Sequence, residues 1–151
     1  MGELSCHALE VTDMPGLVGA LDLAGLPSGD IHLPGRHFFG FTDGGGPVGY
    51  GGLEGAAPDV LIRSVVVRPE RRGAGRGAAI VRVLERQAVA LGAARLHLLT
   101  TTAAEFFVRL GYRPAPRACA PPTIAASRQF ASLCPDDARY LVKDVPRGTH
   151  T

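Results

Sequence analysis

A glycine-rich turn between a strand pattern and a helix pattern is the segment with the clearest chemistry. Residues 65–67 are three valines, and residues 73–77 read Gly-Ala-Gly-Arg-Gly before a helical pattern begins. The first amides of a helix lack intrahelical partners and lie at the positive end of its dipole, and glycines let an anion approach the backbone. Arg71, Arg72 and Arg76 add guanidinium donors that match phosphate oxygens. The segment therefore predicts a phosphate-binding loop.

The pattern of this turn narrows the kind of phosphate ligand. A Walker A loop needs Gly-Lys-Ser/Thr, and the absence of lysine from the turn disfavours a nucleoside triphosphatase. A dinucleotide-binding unit needs its glycines near the start of a repeated strand–helix–strand pattern, with an acidic residue about 20 positions on, and this chain has no such acid. A tight turn without any ligand is the remaining alternative, and the three arginines argue against it.

The elements that hold this turn alternate between strand and helix patterns. Strand patterns cover residues 4–9, 37–42, 48–54, 60–67, 95–101 and 139–145, and helix patterns cover 14–25, 73–91, 102–111 and 123–133. The run Asp43-Gly44-Gly45-Gly46 predicts a hairpin turn between the second and third strands. The β-branched run at 60–67 is typical of a central strand covered on both faces. We therefore expect an α/β domain with helices flanking one sheet.

Length and composition favour one soluble domain. The chain has 151 residues, of which 46% are apolar, and a net charge of +2 without a block of basic residues, so a nucleic-acid partner gets little support. Cys6, Cys119 and Cys134 are odd in number and lack CxxC spacing, which disfavours disulfides and zinc and fits a reducing cytoplasm. No leader or membrane-spanning pattern is present. We expect one domain over 1–145, a loose tail at 146–151, and no metal.

The glycine turn resembles the Arg/Gln-x-x-Gly-x-Gly signature of the GNAT (GCN5-related) acetyltransferases. It reads Arg-Gly-Ala-Gly-Arg-Gly at 72–77 and follows Val-Val-Val-Arg-Pro at 65–69. Residues 96–112, with Phe106-Phe107 near the end, are similar to the next strand and helix of that family. The resemblance covers about residues 48–113. It implies a GNAT fold, in which a mixed, splayed sheet of six or seven strands is flanked by helices.

The resemblance implies acetyl-CoA as the co-substrate. The loop amides would hold the pyrophosphate of CoA, the preceding strand would pair with the pantetheine arm, and an amide near Val65 would stabilise the oxyanion of the reaction. Thr100 aligns with a family asparagine that contacts pantetheine. The implied cofactor-binding residues are Val65, Val66, Val67, Arg72, Gly73, Ala74, Gly75, Arg76, Gly77, Ala78 and Thr100.

The same resemblance suggests how protons move. Many GNAT enzymes place a tyrosine acid where this chain has Phe107, so the thiolate would leave unassisted or through a water. Glu54 ends a strand beside the splay and is the predicted catalytic base. Glu105 is a weaker candidate, because the capping box Thr102-Ala103-Ala104-Glu105, in which Thr102 caps the helix, explains it. His97 is also weaker, because a satisfied core histidine explains it. Tyr112 occupies a position usually filled by an aromatic core residue.

Arg63 interrupts an apolar strand and therefore needs an anionic partner or access to solvent. That partner is either Glu54 or a carboxylate of the acceptor, which makes Arg63 both a catalytic and a substrate-binding candidate. Arg128 is a second substrate-binding candidate. It lies on the segment 120–135, which either covers the acceptor pocket or is a helix that packs against the rest of the domain. Cys134 would bind an arsenical or fill apolar space.

A closer resemblance is to small GNAT proteins associated with arsenic resistance, and it rests on residues 98–107 and 124–135. It implies acetyl transfer to the primary amine of a small, amino-acid-like acceptor, such as an arsenical or phosphinic amino-acid toxin. Two alternatives stay open: a metabolic amino-acid acetyltransferase of the N-acetylglutamate-synthase kind, and a non-catalytic acetyl-CoA sensor that binds a protein partner. A homodimer is compatible with each, and neither a nucleic acid nor a membrane is an expected partner.

Overall fold

The computed structural model describes residues 4–127, 130 and 138–145. Within these residues one mixed sheet contains seven strands: β1 (Ser5–Ala8), β2 (Arg36–Asp43), β3 (Gly46–Ala56), β4 (Asp59–Val67), β5 (Arg95–Thr100), β6 (Arg113–Pro114) and β7 (Arg139–Asp144). The strands lie in the order β1-β2-β3-β4-β5-β7-β6. Every pair is antiparallel except β4 with β5. This mixed sheet confirms the expected fold class.

Four α-helices of the described chain flank the sheet: α1 (Met14–Leu23), α2 (Arg76–Ala90), α3 (Ala104–Arg109) and the single turn α4 (Pro122–Ala125). The core lies on both faces of the sheet because β4 carries apolar side chains at successive positions. Val60 and Ile62 pack with Ile80 of α2, whereas Leu61 packs with Ile124 of α4. The apolar run of β4 is therefore a central strand covered on both faces, as its composition predicts.

The two parallel strands separate soon after they meet. β4 and β5 pair over three positions, from Asp59 opposite Arg95 to Leu61 opposite His97. Beyond that point β5 continues to pair with β7 as far as Thr100, while β4 continues to pair with β3. The edge of β4 that faces β5 therefore has backbone groups available to an extended ligand.

A β-bulge lies in β4 at the start of this separation. Ser64 and Val65 together oppose the single residue Gly51 of β3, between the pairs Arg63 with Gly52 and Val66 with Tyr50. Ser64 has a φ of +61°, which is uncommon for a residue other than glycine. A bulge bends the strand that carries it, and this one lies just beyond the last pair between β4 and β5.

The expected elements are confirmed, with three differences. β6 has two residues and no sequence pattern of its own. The predicted cap of α3 by Thr102 is wrong: the N-cap is Ala103, whose N–H donates to Oγ1 of Thr100 at 2.9 Å. The helix expected at 123–133 is the short α4 within the described residues, and residues 128–129 and 131–133 of that range lie outside them.

Three further expectations concern the C-terminal tail, membrane-spanning helices and metal sites. The predicted tail at 146–151 lies outside the described residues. In the described part of the chain, no helix combines the length and apolarity that crossing a membrane requires. Over residues 4–127, 130 and 138–145, no group of three or more His, Cys, Asp or Glu side chains is placed to hold a metal ion.

Candidate active site

The glycine loop has an unusual backbone. Gly73, Ala74 and Gly75 have consecutive φ angles of +95°, +56° and +72°. Glycine adopts these angles without a steric penalty, whereas Ala74 does so because the loop around it requires it. Gly75 is the N-cap of α2 and has no side chain to bond the first amides of the helix. The N-terminus of this 15-residue helix can therefore bind an anion.

The three arginines of the loop have different partners. Arg71 donates to both carboxylate oxygens of Asp43, at 2.5 and 2.6 Å, and to the carbonyl oxygens of Gly46 and Pro47 at the start of β3, at 3.1 and 3.0 Å. These bonds hold the pKa of Asp43 below its ordinary value. Arg76 donates to the carbonyl oxygen of Arg71 at 3.1 Å. Arg72 is exposed, so it is the arginine best placed to meet a ligand.

A cavity of about 390 Å³ extends from this loop into the gap between β4 and β5. Its lining includes six of the predicted cofactor-binding residues: Val65, Val66, Val67, Arg72, Gly77 and Thr100. The others, which are Gly73, Ala74, Gly75, Arg76 and Ala78, form the adjoining loop and the first turn of α2. Phe106 and Phe107 of α3 line the same cavity. The fold therefore brings the two separate sequence segments to one elongated site.

A second cavity of about 350 Å³ lies between α1 and the end of β4. Its lining combines small and apolar residues of α1 with Tyr50 and with the polar segment after β4: Pro15, Gly16, Gly19, Ala20, Leu23, Arg68, Pro69, Glu70 and Arg72. Ala24, Val66 and Arg72 line both cavities. The two cavities are therefore neighbours that meet at the end of β4.

Asp30, Arg36, Glu54 and Arg63 form a buried network of two acids and two arginines. Arg63 has a fully buried side chain and donates to the two oxygens of Asp30, at 2.6 and 2.7 Å, and to Oε1 of Glu54 at 3.0 Å. Nη2 of Arg36 lies 3.2 Å from Asp30 and 3.3 Å from Glu54. The four formal charges cancel, which is the condition for placing them in the interior.

The pKa values follow from the same geometry. Burial alone raises the pKa of Asp30 and lowers that of Arg63, but their mutual hydrogen bonds and charges outweigh burial in both cases. The pKa of Asp30 therefore lies below its ordinary value and that of Arg63 above it. Of the two partners that the sequence allowed for Arg63, the network contains Glu54. Asp30 was missed, because it lies 33 positions away in a stretch without a pattern.

Glu54, the predicted base, has both oxygens engaged. Oε1 accepts from Arg63 and Oε2 lies beside Arg36. Glu54 is buried and is absent from the described lining of both cavities. Arg63 does line the first cavity, but its guanidinium faces Asp30. The roles predicted for Glu54 and Arg63 in catalysis stay predictions, and the contacts of both side chains are those of a buried ion-pair network.

His97 lies in a second buried polar chain. Nε2 is 2.7 Å from Oδ1 of Asp59, and Nδ1 is 2.7 Å from the hydroxyl of Tyr140. Because a carboxylate only accepts, Nε2 carries the proton and Nδ1 accepts from Tyr140. Burial lowers the pKa of His97, and the hydrogen bond to Asp59 opposes this only in part. These contacts are those of a satisfied core histidine.

The remaining candidates have structural partners or fall outside the described residues. The hydroxyl of Tyr112 donates to Glu85 at 2.8 Å, and burial together with this carboxylate raises the pKa of Tyr112 well above its ordinary value. Glu105 is exposed at the start of α3. Arg128 and Cys134 lie outside the described residues, so their predicted roles are not addressed by this structure.

The fold and the site together define a class of protein. A mixed sheet that splays between its two parallel strands, with a glycine loop before a helix and a cavity joining them, is the architecture expected for the GNAT acetyltransferases. Residues 34–114 match the model of the family described as "Acetyltransferase (GNAT) domain". This match covers more than half of the chain. The chain therefore belongs to the GNAT family.

Solved structures support the same fold. N-acetylglutamate synthase from Neisseria gonorrhoeae, complexed with coenzyme A and N-acetyl-glutamate, matches at 20% identity and a TM-score of 0.79, over 97% of this chain and 36% of that one. A Bacillus subtilis acetyltransferase in complex with CoA matches at 20% identity and 0.70, over 95% and 100%. The ribosomal-protein-S18-alanine N-acetyltransferase from Escherichia coli matches at 16% and 0.69, over 97% of both chains. The chain thus spans about a third of the synthase's length.

Proposed function

We propose that this protein transfers the acetyl group of acetyl-CoA to the primary amine of a small, amino-acid-like acceptor. The observation that carries the proposal is the pair of cavities that meet at the end of β4, where Ala24, Val66 and Arg72 line both. A bimolecular transfer needs two substrates held side by side, and proximity supplies much of the rate. Each cavity has the volume of a small-molecule site.

The first cavity and its loop suit the acetyl donor. The open amides of α2 and the exposed Arg72 fit a pyrophosphate, while the free edge of β4 over residues 65–67 fits the amide groups of a pantetheine arm. Thr100 has its oxygen bonded to the N–H of Ala103, which leaves its hydroxyl hydrogen to donate. Bound there, acetyl-CoA supplies an activated acetyl group. CoA is present in two of the three similar structures described above.

The second cavity suits the acceptor. Arg68 and Arg72 give its wall a positive character, although Arg68 also pairs with Glu70 at 2.8 Å. A guanidinium is the side chain that best matches a carboxylate, so an acceptor with a carboxylate is favoured. Arg63 and Arg36 are neutralised by Asp30 and Glu54, and Arg128 lies outside the described residues.

The acceptor amine must lose a proton before or during transfer. The bonds of Glu54 to two arginines favour a structural role for that carboxylate, and they leave solvent in the acceptor cavity as the proton acceptor. Phe107 lines the donor cavity where many family members have a tyrosine, so the thiolate leaves unassisted or takes a proton from a water.

Glutamate, phosphinothricin and arsinothricin-like amino acids are the acceptors that the resemblances favour. Release of free CoA thiol should be measured with each of them and with matched amines that lack the α-carboxylate. We expect turnover with at least one carboxylate-bearing amine and a much lower kcat/KM for its decarboxylated partner. Equal activity with both members of every pair would overturn the amino-acid-like acceptor. Tight acetyl-CoA binding without turnover on any amine, including peptide N-termini, would favour a non-catalytic sensor instead.

A further inference from the structure

Ser64 occupies a backbone conformation that its own type does not favour. Its φ of +61° lies in the left-handed region, where glycine is the residue that avoids steric cost. The position is the bulge of β4, immediately before Val65, and Ser64 lines the cavity between β4 and β5. Strained backbone conformations cluster at functional sites, so the side chain of Ser64 is a candidate for a functional role.

The hydroxyl of Ser64 is oriented by a chain of hydrogen bonds. Nε of Arg63 donates to Oγ of Ser64 at 3.2 Å. Arg63 is itself fixed, because both of its terminal nitrogens donate to Asp30. A hydroxyl oxygen that accepts from a guanidinium is a poorer acceptor for an ammonium ion, and its own hydrogen becomes a better donor. The oxygen of Ser64 thus accepts from Arg63, its hydrogen is left to donate, and Ser64 lines the cavity.

We propose that Ser64 is a catalytic residue whose hydroxyl donates a hydrogen bond to the carbonyl oxygen of the bound acetyl group. This inference rests on the proposed function. In the transfer, the bond from the amine nitrogen to the carbonyl carbon forms and the carbon–sulfur bond breaks. The carbonyl oxygen gains negative charge and then returns it, the amine proton goes to solvent, and the thiolate leaves with the electron pair of the carbon–sulfur bond. Ser64 keeps its proton throughout and stabilises the charge on the oxygen.

The replacement Ser64→Gly separates the hydroxyl from the backbone strain. Glycine accepts a φ of +61°, so this variant should melt at the same temperature as the natural protein or higher. If the hydroxyl bonds to the acetyl oxygen, kcat should fall by about 10²-fold. Calorimetry should show the affinity for acetyl-CoA falling about 10-fold relative to the affinity for CoA, which lacks the acetyl group. Ser28→Gly removes an exposed hydroxyl that bonds only to Asp22 in the described chain, and serves as the control.

Natural kcat in Ser64→Gly, with an unchanged ratio of acetyl-CoA to CoA affinity, would overturn the proposal and leave Ser64 a strained structural residue. The binding ratio is measured without an acceptor, so it also separates this proposal from the proposed function. If Ser64→Gly lowers the ratio of acetyl-CoA affinity to CoA affinity but the natural protein acetylates no amine, the contact to the acetyl oxygen is supported. The proposed transfer to an amine would then be wrong.

Discussion

At the scale of single residues, Arg63 shows how a charge is accommodated inside an apolar strand. Its neighbours Ile62 and Val65 belong to the apolar run of β4, yet its guanidinium makes three hydrogen bonds to two carboxylates. Removing one member of such a group leaves the others buried without compensation. Arg63 is therefore expected to matter for folding before it matters for catalysis.

We predict that Arg63→Met lowers the free energy of unfolding by about 3–5 kcal/mol, because the buried acids Asp30 and Glu54 then share Arg36 as their one remaining cation in the network. Urea denaturation measures this change. Arg113→Met is the matched control, since Arg113 is exposed and pairs only with Asp144 in the described chain, so a loss of at most about 1 kcal/mol is expected. If Arg63→Met instead keeps the natural stability and raises the KM for the acceptor 10-fold or more, Arg63 binds the carboxylate of the acceptor.

His97 should make stability depend on pH. An unfolded histidine takes up a proton below about pH 6.5, whereas burial lowers the pKa of His97 in the folded protein. The unfolded state thus binds more protons between the two pKa values, and stability rises with pH in that window. The contribution of His97 is complete above about pH 6.5 and is lost as the pH falls through its folded pKa.

We predict that the free energy of unfolding falls as the pH is lowered from about 7 to about 5. His97→Gln should make the free energy of unfolding depend less on pH in this range. Urea denaturation across the range measures it, with each variant compared with its own value at neutral pH. His32→Gln removes an exposed histidine and should retain the natural slope. The same slope in His97→Gln as in the natural protein would show that other groups titrate in this window.

At the scale of elements, the position of the glycine loop depends on the β2–β3 hairpin. The side chain of Arg71 extends from the loop and bonds to Asp43 at the end of β2 and to the carbonyl oxygens of Gly46 and Pro47 at the start of β3. Arg76 then bonds back to the carbonyl oxygen of Arg71. The left-handed loop is thus fixed to the sheet before any ligand arrives, which reduces the ordering cost of binding.

We predict that Arg71→Met raises the KM for acetyl-CoA by about 10-fold and changes kcat much less, because the loop loses its anchor but keeps its amides. Steady-state kinetics with varied acetyl-CoA measures both constants. Arg95→Met is the control, since Arg95 is half exposed and pairs with Asp144 at the far end of β5. A fall in kcat at unchanged KM would mean that Arg71 acts on the transfer itself and not on loop position.

At the scale of the whole molecule, a ligand in the first cavity would contact several elements of the fold at once. The cavity is lined by β4, β5, α3 and the start of α2. Anything that binds only the folded state stabilises it by mass action, by about 2.7 kcal/mol at 100 times the dissociation constant. For a chain of this size, that corresponds to about 5–10 °C in melting temperature.

We predict that acetyl-CoA at such a concentration raises the melting temperature by this amount, and that Gly75→Asp abolishes the rise. The aspartate places a carboxylate where a pyrophosphate must meet the amides of α2, at a backbone φ of +72°. Gly35→Asp introduces the same charge at a φ of +81° with open space around it, so it controls for strain and should keep the rise. A full rise in Gly75→Asp would remove the loop from the CoA site.

The sequence by itself determined the elements, the family resemblance and the loop. Periodicity and glycine spacing are local, so the strands around 60–67 and 95–101, the helix after Gly75 and the hairpin turn could be read from neighbouring residues. The conflict posed by Arg63 was also visible, because a charge in an apolar strand must be compensated.

Only the tertiary structure decided which distant residues complete the site. Asp30 reaches Arg63 across 33 positions, and Tyr140 reaches His97 across 43. It also assigned Arg71 to Asp43 instead of a phosphate, and placed the bulge at Ser64. Such contacts depend on strand order, register and the point where β4 leaves β5. No local pattern encodes these features, because they result from the packing of the whole chain.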